Sequence, residues 1–97
     1  MSAFQLETTD AAVRVTLAGE LTIEDAGALL VALRTALRRP RELVLAPAGL
    51  ARIDTAALQV LLAAVRAAPS SRIDPAPAPA WAAALERYAL AAAFAST

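Results

Sequence analysis

The sequence predicts a mixed α/β fold in the order β-β-α-β-α-β-α, a four- to five-stranded sheet with helices mainly on one face. Three observations predict it. Apolar residues alternate at Phe4/Leu6 and again at Val13/Val15/Leu17, the period of half-buried strands. They recur every three to four residues at 26–37 and 58–65, the period of helices. Between these helices lies Leu43-Val44-Leu45-Ala46, a short continuous apolar run of the kind found in a central strand covered on both faces. The 97 residues are read as one domain, 1–97, with no internal repeat and no linker long enough to divide it.

Taken in order, the first two strands are expected to form an antiparallel hairpin with a turn at Thr8-Thr9-Asp10, the second strand ending at Gly19-Glu20. Thr22 is a helix-capping residue, and Glu24 and Asp25 suit the positive end of a helix dipole. Ala26, Leu29, Leu30, Leu33 and Leu37 keep the helical period, and Pro40 stops the helix. Arg34, Arg38, Arg39 and Arg41 cluster at its end, read either as an anion site or as cations satisfying the helix C-terminus, which the dipole favours. Pro47-Ala48-Gly49 leads from the strand at Leu43–Ala46 into the stretch that begins at Leu50, Pro69-Ser70-Ser71 is expected to be a loop, and Arg72-Ile73-Asp74 is a candidate last strand. Pro75, Pro77 and Pro79 form an extended connector. Pro79 suits the first turn of a final helix, whose buried stripe is Trp81, Ala84, Leu85 and Tyr88. Leu90 and Phe94 are expected to fold back as apolar plugs, and the last few residues to fray.

Composition removes whole classes of chemistry. Hydrophobic residues make up 59% of the chain, yet alanine supplies much of that fraction. Formal net charge is zero, which argues against electrostatic capture of nucleic acid or of an anionic membrane. All nine basic residues are arginine, so lysine chemistry is absent. Without cysteine there is no thiol chemistry, and without histidine neither the commonest general base nor the commonest metal ligand. No serine has a histidine to activate it, and three glycines are too few for a phosphate-cradling loop. Glu20, Glu24 and Asp25 could meet around a divalent cation, but acids at a helix start need no such explanation. Trp81, Tyr88 and Phe94 are better read as core than as a stacking site. No enzyme, cofactor or metal is expected. With no signal-peptide pattern at the N-terminus and no run of about 20 apolar residues, the expectation is a cytoplasmic chain without membrane insertion.

The stretch Leu50–Arg66 carries the functional expectation. Leu58, Leu61, Leu62 and Val65 form one buried helical stripe, while Ala56, Val60, Ala63 and Ala67 form an opposite face with no charge and no long side chain. A helix that is apolar or small all round is either buried on both sides or offered to a partner. At its start Asp54 and Thr55 place a carboxylate and a hydroxyl at an anion-friendly helix end. Two readings remain open: either residue simply caps the helix, or Thr55 is a phosphorylation or docking switch.

Ile53-Asp54-Thr55-Ala56-Ala57-Leu58-Gln59, preceded by Leu43-Val44-Leu45 and Gly49, resembles the central signature of STAS domains. Pro77-Ala78-Pro79-Ala80 is similar to the turn that often precedes the family's last helix. The resemblance implies a non-enzymatic protein–protein interaction module, docking through Asp54, Thr55, Ala56, Gln59, Val60, Ala63 and Ala67. It implies a protein partner such as an anti-sigma factor or a kinase-like protein, as for anti-sigma-factor antagonists. The alternative is an accessory subunit of a phospholipid-trafficking ABC transporter, with the ATPase as partner, whose signature Asp54-Thr55-Ala56-Ala57-Leu58 fits better. A chemotaxis-linked member is a third option. In phosphoregulated members the usual acceptor aligns with Ala56, which cannot be phosphorylated, and a commonly acidic position aligns with Ala46.

Overall fold

A computed structural model describes residues 3–74 and 79–87. The elements are β1 (Phe4–Thr8), β2 (Ala12–Leu21), α1 (Ile23–Ala36), β3 (Glu42–Ile53), α2 (Thr55–Ala67), β4 (Ser71–Ile73) and α3 (Pro79–Arg87), the order expected from the sequence. The strands form one four-stranded sheet in the order β1-β2-β3-β4. β1 and β2 pair antiparallel, whereas β2–β3 and β3–β4 pair parallel, as strands joined through a helix must be able to do. The hairpin turn is held by Thr9, whose Oγ1 accepts from the amides of Ala11 (3.3 Å) and Ala12 (3.1 Å). Such hydroxyl-to-backbone bonds are why threonine favours turns.

The core lies between the sheet and the two long helices. Val13 and Val15 are register partners of Leu43 and Leu45, so the four point to the same side. They join Leu29 and Leu33 of α1 and Leu58, Leu61, Leu62 and Val65 of α2 in one buried cluster. The stripe expected from periodicity in α2 is therefore the inward one, widened by Ala57 and Ala64. On the opposite side of the sheet Val44 lies between Arg14 and Arg72 across the two ladders. Both guanidinium groups reach Asp74, at 3.2 and 3.4 Å, and Arg72 also reaches Glu42 at 3.5 Å. Arginine stems can cover apolar surface while their heads stay wet. That accounts for a central strand buried on both faces: Val44 is 3% exposed although it lies outside the main cluster.

One element departs clearly from expectation. β3 runs straight through Pro47, Ala48 and Gly49 to Ile53 instead of stopping at Ala46. Its partner β2 continues to Leu21, and the ladder survives two slips, between Thr16 and Ala18 and between Gly19 and Glu20. Pro47 sits at the first slip, where a missing amide breaks no pair, and β4 reaches only as far as Leu45. At the second, Gly19 adopts φ = +70°, a conformation that costs any residue with a Cβ. Smaller differences are that α1 ends at Ala36 and that β4 begins at Ser71. In α3, Trp81 is fully buried and Ala84 nearly so, as the core reading requires. The Pro75–Pro77 connector, Ala78, Tyr88, Leu90 and Phe94 lie outside the described residues, and so does the side chain of Leu85.

Candidate docking site

The site is built where β2 and β3 hand over to α1 and α2. Parallel pairing brings the ends of both strands side by side, Leu21 against Ile53, so both helices start from neighbouring points. The Asp54 amide donates to the Leu21 carbonyl at 2.9 Å, which fixes the second helix start onto the first. The Asp54 carboxylate does not cap its own helix. Its Oδ2 accepts from the amide of Ile23, the first residue of α1, at 3.1 Å. The capping reading of Asp54 is thus corrected in its target: the residue precedes α2 in sequence but serves α1 in space. Arg52 lies 3.7 Å from the other carboxylate oxygen, a long and mostly exposed pair of little energetic consequence.

The two helix starts end up unlike. At α1, Asp25 reaches back to accept from the Thr22 amide (2.9 Å) and the Thr22 hydroxyl (3.2 Å). With Asp54 added, two carboxylates face the positive end of that helix. α2 has no side-chain cap and no acidic residue in its first turn. Thr55, its first residue, is exposed, and its hydroxyl makes no hydrogen bond among the described residues. Among the described residues no group of His, Cys, Asp and Glu is placed to hold a metal ion.

The remaining residues expected in the site fall into two sets. Gln59, Ala63 and Ala67 are exposed, whereas Ala56 and Val60 are half-buried. Val60, Ala63, Ala64 and Ala67 form one wall of an open groove of about 310 Å³, whose other wall is Leu30, Leu33, Arg34 and Leu37 of α1. The small-residue face of α2 is therefore not a free-standing surface but half of a two-helix groove. The α1 half is not legible from the sequence of α2 alone. A signal was present: Ile23, Leu30 and Leu37 are spaced by seven residues, a second apolar line beside the inward stripe. The Asp54–Ile23 bond had no such signal, since it joins residues 31 apart.

The arginines at the end of α1 divide likewise. Arg41 donates to the Ala36 carbonyl at 2.6 Å and to the Thr9 carbonyl at 2.8 Å, tying the helix end to the hairpin turn. That is the helix-capping role. Arg34, Arg38 and Arg39 are exposed and enter none of the ion pairs among the described residues.

Comparison with known proteins agrees with this architecture. The family model described as "Mlab, STAS domain" matches residues 4–93. No curated protein matches the chain in sequence. Among solved structures, the anti-sigma factor antagonist SpoIIAA in its unphosphorylated form aligns with a TM-score of 0.77 at 22% identity, over 91% of this chain and 82% of that one. A crystal structure of Mglu aligns with a TM-score of 0.59 at 26% identity, over 74% of this chain but only 19% of that one. No described helix is long and apolar enough to cross a membrane. The likeness to SpoIIAA shows the fold alone at such identity, but the family model covers nearly the whole chain, and on that ground the protein belongs to the STAS domain family.

Proposed function

We propose that the protein is a non-enzymatic interaction module that docks a protein partner through α2, from the uncapped helix start at Asp54-Thr55 along Ala56, Gln59, Val60, Ala63 and Ala67. The observation that carries the reading is the outward side of α2: Ala63 and Ala67 are exposed beside a groove with apolar walls, and nothing in the described fold needs that side to be apolar. Small side chains let another helix or strand approach closely, and a charge buried there without a counter-ion costs several kcal/mol. The partner in the first reading is an anti-sigma factor or a kinase-like protein; SpoIIAA, which shares the fold, is named an anti-sigma factor antagonist.

A second reading, the accessory subunit of a phospholipid-trafficking ABC transporter, is favoured by one feature of the site. Ala56 stands where a phosphoregulated member has its acceptor, and Asp54-Thr55-Ala56-Ala57-Leu58 fits the transporter signature. Affinity capture from the source cell, with wild type and Ala63→Glu side by side, tests both. The docking reading expects a partner retained by wild type and lost by the variant. Its identity, regulator or ATPase, chooses between the two readings. Undiminished capture by a folded Ala63→Glu protein rejects docking through this face.

A further inference from the structure

We infer that the groove between α1 and α2 receives an amphipathic helix of the partner whose first turn is acidic, its apolar stripe lying between the two helices and its carboxylates meeting Arg34, Arg38 and Arg39. The inference rests on the docking reading above and adds the chemistry of what docks.

The shape of the groove sets the first requirement. Its walls are Leu30, Leu33 and Leu37 on one side and Val60, Ala63 and Ala67 on the other. Ile23, 68% exposed, continues the α1 line seven residues before Leu30. From Ile23 to Leu37 the helix rises about 21 Å, the length of roughly four turns. An apolar trough between two helices is suited to a third helix presenting anchors at i, i+3, i+4 and i+7.

Charge sets the second. Arg34 lines the groove, and Arg38 and Arg39 share with Leu37 and Ala67 the depression into which its end opens. Of the other arginines, Arg14, Arg52 and Arg72 pair with carboxylates and Arg41 with carbonyls, while Arg66 and Arg87 enter no ion pair among the described residues. Arg34, Arg38 and Arg39 are the ones gathered around this groove, and they have no counter-charge among the described residues. Covered by a neutral partner, they would lose water and gain nothing, whereas carboxylates give charge-assisted bonds.

Direction follows from the same asymmetry. At the opposite end of the groove Glu24 is exposed and Asp54 is already engaged. Acidic residues are stabilising in the first turn of a helix, so an acid-tipped helix begins over the arginines and runs antiparallel to α1 and α2. A second copy of this chain fits less well. Across a two-fold axis it would offer Glu24 to three arginines, because Asp25 and Asp54 are held within their own copy.

Fluorescence anisotropy with the full chain and three labelled peptides of about 15 residues, enough to span the groove, tests the inference. The first carries leucines at i, i+3, i+4 and i+7 with glutamates in its first turn. The second has arginines for the glutamates, and the third has serines for the leucines. Wild type should bind the first at least about tenfold more tightly than either control. The exposed double variant R34E/R38E should fold normally and reverse the preference toward the arginine peptide, while Ala63→Glu weakens both leucine peptides. Equal affinity for the first two, an unreversed preference, or equally tight binding of the serine peptide would overturn the inference. So would self-association through this face in sedimentation, or binding to phosphatidylglycerol vesicles that R34E/R38E abolishes. Capture of the native partner separates the two levels. If R34E/R38E retains the partner and Ala63→Glu loses it, docking stands and the acidic helix is wrong; if Ala63→Glu retains it, docking itself fails.

Discussion

The inward and outward sides of the α1–α2 layer are built from nearly the same kinds of residue and have opposite fates. Inward, Leu29, Leu33, Leu58 and Leu61 are between 0 and 2% exposed, packed on the strands. Outward, Ile23 and Val31 are 68% and 64% exposed, and Ala63 and Ala67 lie open beside the groove. The sheet accounts for the first side completely. It does not account for the second, where Leu30, Leu37, Val60, Ala63 and Ala67 border one groove; single exposed apolar residues are ordinary, whereas a contiguous set is what the docking proposal rests on. Stability is concentrated on one side, and the proposed docking face lies on the other.

The sharpest way to break this contrast is on the inward side. Leu61→Ala should cost about 2–5 kcal/mol, since a fully buried leucine leaves a cavity that its neighbours only partly fill. In a domain whose whole stability is about 5–10 kcal/mol, the variant is near unfolding at growth temperature. Urea unfolding with an unchanged slope measures it. A loss below about 1 kcal/mol would mean that the two sides have been assigned wrongly.

A smaller effect is expected at the junction of the two sides. Asp54→Ala removes the acceptor for the Ile23 amide and should cost about 0.5–1 kcal/mol, the lower part of the capping range, because this bond is exposed. Asp54→Asn keeps an acceptor and should recover most of the loss. If the two variants melt at the same temperature, the bond does not join the helices energetically. Of similar size but opposite sign, Thr55→Asp should stabilise by about 0.3–1 kcal/mol, by placing a carboxylate in a first helical turn that has none. Intact-mass analysis of the protein from its source cell should show Thr55 largely unphosphorylated, since the usual acceptor position is Ala56. A substantial phosphorylated fraction would turn that helix start into a covalent switch.

Much of this was legible in the chain, and the failures have a common form. Element order and the inward stripe Leu58, Leu61, Leu62 and Val65 follow from period alone, because periodicity within one element is a local property. The continuation of β3 through Pro47 and Gly49 was hidden. Proline and glycine read locally as a loop, and only a ten-residue parallel partner with two slips lets the strand absorb them. The site divides in the same way. Thr55, Ala63 and Ala67 could be placed on an exposed surface from α2 by itself. The α1 wall of the groove and the carboxylate of Asp54 on the Ile23 amide exist only once two helices 30 residues apart are side by side. Resemblance to the family added the docking expectation at Asp54-Thr55, but it could not show that the carboxylate faces another helix.

The smallest effect on stability carries the largest functional weight. Ala63 is exposed, so Ala63→Glu keeps its charge in water and should change the unfolding free energy by no more than about 0.5 kcal/mol. Alanine and glutamate both favour helix, so α2 itself is not at risk. Val60→Glu is the less clean probe: Val60 is half-buried against the core, and burying part of its charge adds a folding cost to any binding loss. The pair therefore sharpens the contrast between the two sides within one helix. Thermal melting should fall visibly for Val60→Glu and hardly at all for Ala63→Glu, while both lose at least about tenfold in partner affinity, about 1.4 kcal/mol. A large drop in melting temperature for Ala63→Glu would mean that another part of the chain covers the groove. Unchanged melting with unchanged affinity would mean that α2 simply faces water there.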